Sequence, residues 1–118
     1  MHQNLVAKIY KMWYTNYDVL KKEVWVFMTY EFAKYPDGTI GVFSNIGKNE
    51  NGEEYVRITF ERPMDYGFDT YVIELPSYKI ILEDGNYSKE EKENFMNIVK
   101  NGSAFFFKYA RLGGLEIA

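Results

Sequence analysis

A chain of 118 residues, 47% of them hydrophobic, is long enough to bury a core of its own without a covalent staple. The absence of cysteine excludes disulfides, thiolate nucleophiles and Cys-based zinc or iron–sulfur sites. The single histidine, His2, stands beside the N-terminus and argues against Ser-His hydrolysis and His-based metal sites, while a net charge of −3 is too small to name a partner.

The first predicted element is a helix over about residues 4–15. At helical spacing Leu5, Ile9 and Met12 share a narrow arc, flanked by Val6, Tyr10, Trp13 and Tyr17, with Tyr14 at the edge. Lys8 and Lys11 fall on the opposite side. A strand would instead place Lys8 between Val6 and Tyr10. The aromatic run "YKMWYTNY" is therefore read as a packing face and not as a platform for stacking bases, which wants its cations beside its rings.

"EVWVFMTYEFAK", residues 23–34, is β-branched and aromatic and predicts a long strand. Pro36, Asp37 and Gly38 supply a tight turn, and "IGVFSNI" returns as a second strand. A polar loop over 47–54 carries Asn51-Gly52, a strong hairpin signal. "YVRITFER" alternates, with Val56, Ile58 and Phe60 inward and Arg57, Thr59 and Glu61 outward. Pro63 and Gly67 break that pattern. "DTYVIEL" is the next strand, ended by Pro76, and "SYKIILE" another, closed by Asp84-Gly85.

The second helix is predicted over about 88–101. Ser88 and Glu91 form a capping box, Phe95, Ile98 and Val99 a buried stripe, and Asn101-Gly102 a stop. "AFFFKYA", residues 104–110, is predicted as a final strand after that helix. The order implies one α+β domain over 1–118, an antiparallel sheet of about five to six strands with both helices packed against it.

No G-x-S-x-G elbow, P-loop or dinucleotide fingerprint is present, and no acidic loop has EF-hand spacing. No cofactor or metal is expected. Nor does any apolar run approach a membrane span, and the N-terminus lacks the layout of a signal peptide, so a cytoplasmic protein with no membrane partner is expected.

Charge is unevenly spread. Residues 50–93 carry five basic and twelve acidic residues, a balance of −7, between mildly basic ends. With 11 Tyr, a residue enriched at interfaces, this favours a non-enzymatic protein that docks on another protein. A small acidic inhibitor of immunity, antitoxin or phage anti-defence type fits the description, and a homodimer is compatible with it. The partner-binding candidates are Tyr14, Tyr17, Glu53, Glu54, Glu61, Asp65 and Tyr66. Two alternatives stand beside it. A single-stranded nucleic-acid-binding module would use Lys8, Lys11, Lys21, Lys22, Lys108 and Arg111. A His-free ribonuclease would draw on Arg57, Glu61 and Arg62.

Overall fold

The structure, a computed structural model, describes residues 28–113. The helix expected over 4–15 and the start of the strand expected over 23–34 lie outside the described residues. Within them six strands precede one helix: β1 (Thr29–Lys34), β2 (Ile40–Ser44), β3 (Gly47–Lys48), β4 (Glu54–Met64), β5 (Gly67–Leu75), β6 (Lys79–Asp84) and α1 (Lys89–Leu112). All pairings are antiparallel, in the order β1-β2-β4-β5-β6, with β3 paired to the start of β4. The fold is α+β: an antiparallel meander with a C-terminal helix on one face.

The turns form where turn chemistry dictates. Between β1 and β2, the Thr39 amide donates to Asp37 Oδ1 at 2.9 Å, and Gly38 takes a φ of 95°. Strand β4 does not break at Pro63. It runs on to Met64, and a two-residue tip, Asp65–Tyr66, joins it to Gly67 of β5. Pro63 is tolerated because it lies past Glu61, the last β4 residue paired with β2.

The helix begins as the sequence predicts. Ser88 Oγ accepts from the Glu91 amide at 3.0 Å, and the Ser88 amide donates to Glu91 Oε1 at 2.8 Å. Its end corrects the expectation. Asn101-Gly102 does not stop it, and residues 104–110, expected as a final strand, are helical. Phe95, Val99, Phe106 and Ala110 are buried, which continues one helical face well past the glycine. Gly102 is covered by the ring of Phe106, whose Cε2 would stand 3.1 Å from an added Cβ. Ile98, expected in the buried stripe, is only half-buried.

That stripe seats on Phe43, Ile58, Phe60, Tyr71 and Ile73 of the sheet. Phe60 and Phe95 stack with centroids 4.1 Å apart, and the ring of Phe32 fills the space over Gly41.

The other face of the sheet gives a second correction. Arg57, Thr59 and Glu61 point away from the helix as expected, yet they are only 8%, 0% and 5% exposed. Thr29, Glu31, Val42, Ser44, Thr70 and Val72 are buried as well. Strand alternation separates two faces but does not require the polar one to meet water. No described helix packs across this face, and Arg57 Nε donates to Glu74 Oε2 on the neighbouring strand at 3.1 Å.

Candidate functional site

Three connections converge at one end of the meander: the β1–β2 turn, the β4–β5 tip and the β6–α1 loop. Arg62, on the helix-facing side of β4, joins them. Its Nε and one terminal nitrogen donate to Asp69 Oδ2 at 2.9 and 2.7 Å. The other terminal nitrogen donates to Asp37 Oδ2 at 2.8 Å and Glu91 Oε2 at 3.0 Å. The guanidinium also lies 4.6 Å from the ring centroid of Tyr87. The Tyr87 hydroxyl is within 3.1 Å of the Thr39 hydroxyl.

Asp69 is completely buried and fully engaged. Besides Arg62, it accepts from the Tyr66 hydroxyl at 2.5 Å and from the Asn86 amide at 2.7 Å, both on Oδ1. Gly85 must be glycine here, with a φ of 87° and an added Cβ only 2.7 Å from the Asp69 Cα.

The electrostatics follow from these contacts. Burial pushes the Asp69 carboxyl up, but the hydrogen bonds from Tyr66, Asn86 and Arg62 outweigh it and hold the group below its ordinary value. The Thr39 amide, followed by Arg62, lowers Asp37, and the Ser88 amide, followed by Arg62, lowers Glu91. Arg62 is held more firmly protonated, first by Asp69. The adjoining Asp69 carboxylate raises the Tyr66 phenol, and burial raises that of Tyr87. Three carboxylates thus surround one guanidinium, and the hub stays net negative.

Two clefts flank it. One of about 280 Å³ is lined by Tyr35, Pro36, Asp37, Thr39, Glu91 and Phe95, so two ionised carboxylates share it with aromatic walls. The other, about 440 Å³, is lined by Tyr66, Phe68, Thr70, Leu82 and Asp84. Met64 and Tyr66 at the hairpin tip are 42% and 55% exposed, large apolar surfaces beside the charge. Of the nearby bases, Lys92 pairs with Glu83 and Lys34 with Glu31, while Lys89 is exposed at the start of α1. Carboxylates held ionised are suited to receiving a cation and poorly suited to donating a proton. Among the described residues no group of three or more His, Asp or Glu is placed to hold a metal ion. No described helix is long and apolar enough to cross a membrane.

The structure separates the partner-binding candidates. Asp65 and Tyr66 stand at this end, whereas Glu53 and Glu54 stand at the far end of the eleven-residue β4, roughly 33 Å away at strand spacing. Glu61 is buried in the second face, and Tyr14 and Tyr17 lie outside the described residues. The acidic middle of the sequence is therefore divided between two ends and does not form one face. Lys108 and Arg111 are exposed on the last turns of α1, with Arg111 donating to both oxygens of Glu54. Lys8, Lys11, Lys21 and Lys22 lie outside the described residues. Arg57 and Glu61 face away from α1 while Arg62 faces it, so the three ribonuclease candidates do not share a site. The sequence reading missed Asp37, Asp69 and Glu91 as partners of Arg62. A two-residue hairpin at Asp65–Tyr66 was the one signal that would have set Arg62 opposite Asp69.

Compared with known proteins, the chain matches no family model, no curated protein and no solved structure.

Proposed function

We propose that this is a non-enzymatic binding module of the cytoplasm, a small acidic protein that docks on a basic surface of another protein in the manner of an inhibitor. One observation carries the reading. The end of the sheet braced by Arg62 carries Asp37, Asp65, Asp84 and Glu91 together with the exposed Met64 and Tyr66. Exposed aromatic and methionine side chains beside charge are the composition of an interface centre, and fixed negative potential speeds encounter with a basic partner. The brace matters because turns held by buried ion pairs lose little freedom on binding. The docking surface is this one end of the molecule and excludes Glu53 and Glu54.

The test is affinity capture from the source cell at low and high salt, followed by identification and direct binding of the recovered protein. Asp65→Arg and Met64→Ala should each weaken binding, and added salt should weaken it further. Glu53→Arg, at the opposite end, should leave binding intact. Binding lost with Glu53→Arg and kept with Asp65→Arg would overturn the assignment.

A further inference from the structure

The sequence contains the dipeptide Asn-Gly twice, at Asn51-Gly52 and Asn101-Gly102, and the fold gives the two copies opposite environments. From that contrast we infer that Asn51 is a site of spontaneous deamidation, a charge-adding modification confined to the β3–β4 loop. The reaction needs only water. The Gly52 backbone nitrogen attacks the Asn51 side-chain carbonyl carbon. A carbon–nitrogen bond forms to close a succinimide, and the side-chain carbon–nitrogen bond breaks to release ammonia. Water then opens the ring at either carbonyl, leaving aspartate or isoaspartate.

The loop geometry suits each step. Asn51 and Gly52 are both exposed. Nothing lies within 4 Å of the position a Gly52 Cβ would take, so no packed neighbour hems in the turn on that side. Among the described residues the Asn51 side chain makes no hydrogen bond, leaving its amide free to turn. The neighbouring Asn49 is the contrast. Its Oδ1 accepts from the Asn51 and Glu53 amides at 2.8 and 3.0 Å, and its Nδ2 donates to Glu53 Oε1 at 2.9 Å. Among the described residues the Gly52 amide donates to the Asn49 carbonyl, at 2.9 Å, in an exposed turn that opens without disturbing the core.

Asn101 has the same successor but sits inside α1. There the Gly102 amide belongs to the helical ladder and the glycine lies under the Phe106 ring. Closing a succinimide at Asn101 requires opening the helix at a residue packed on the core.

The product matters locally. It adds a carboxylate beside Glu50, Glu53 and Glu54, and Glu54 holds Arg111 at the end of α1. Isoaspartate also inserts a methylene into the main chain next to the Lys48–Glu54 pairing of β3 with β4.

The experiment is incubation of the full chain at mildly alkaline pH, with peptide mapping that separates aspartate from isoaspartate. In the native protein, product at Asn51 should accumulate roughly tenfold or more faster than at Asn101, the ratio set by the local opening each site requires. In denaturant the two rates should converge. Asn51→Gln should remove the product at that site and leave the slow Asn101 background. Equal rates in the native protein, or faster loss at Asn101, would overturn the inference. So would a native ratio no larger than the denatured one.

Discussion

Arg62 and Asp69 are cross-strand neighbours on the β4–β5 hairpin, and both nitrogens on one edge of the guanidinium converge on a single Asp69 oxygen. The second oxygen is left for Tyr66 and the Asn86 amide. One carboxylate therefore ties a hairpin tip to the loop that leads into the helix.

Asp69→Ala is expected to cost about 1.5–3 kcal/mol, because it removes the one fully buried carboxylate on Arg62 and takes the acceptor away from the Tyr66 hydroxyl and the Asn86 amide. Asp37→Asn keeps an Oδ1 acceptor for the Thr39 amide and removes only the charge of a side chain that is 45% exposed, and it should cost less than about 1 kcal/mol. Urea denaturation of both variants checks the contrast. Similar losses would place the centre of the brace elsewhere.

Acid should loosen this end of the molecule. The Asp37, Asp69 and Glu91 carboxyls lie below their ordinary values in the folded protein, so the unfolded chain takes up their protons first as pH falls. Their contribution is fully present above the unfolded values, near about pH 4, and is lost as pH drops through the lowered ones. The unfolding midpoint should decline steeply below about pH 4 and less steeply in Asp69→Asn. A midpoint independent of pH in that range would refute the assignment.

The continuation of α1 past Gly102 can be read from adjacent phenylalanines. Phe106 is 2% exposed and Phe105 is 39% exposed. Phe106→Ala should cost about 3–5 kcal/mol and Phe105→Ala less than half as much. Ser88→Ala, at the start of the helix, should cost about 0.5–2 kcal/mol. Thermal and chemical denaturation measure all three.

Gly41→Ala should destabilise by about 1–3 kcal/mol, since the new Cβ would stand 2.6 Å from the tip of the Phe32 ring. That ring is wedged against Phe43, Phe60 and Phe106 and has little room to yield. In the double variant Gly41→Ala/Phe32→Leu the two costs should not add. Strict additivity would mean the ring is not the obstacle.

What was legible follows from what local chemistry encodes. The strands were visible in β-branched runs punctuated by Pro-Asp-Gly and Asp-Gly, and the helix start was visible in Ser88 and Glu91. The end of α1 was not. Phe105, Phe106 and Phe107 carry strand propensity, and Asn101-Gly102 imitates a stop. Only the spacing of Phe95, Val99, Phe106 and Ala110 betrays the helix, because tertiary packing overrides propensity. The brace was invisible for a different reason. Asp37, Arg62, Asp69 and Glu91 come from four separate elements, and apart from the Asp65–Tyr66 hairpin, whose register sets Arg62 opposite Asp69, no spacing along the chain announces their meeting. Burial of Thr59 and Glu61 was equally hidden, because a polar residue looks the same in sequence whether it faces solvent or not.

The meander has a temporal side. Sheet neighbours are mostly sequence neighbours, so each hairpin can close as it leaves the ribosome, with short loops and little chain to organise. Strand β6 is complete by Asp84, but the helix that covers Phe43, Ile58, Phe60 and Ile73 is not finished until Leu112. Any sheet formed in that interval lacks its α1 cover. The last 24-residue helix is then the step that decides between a folded molecule and a sticky one.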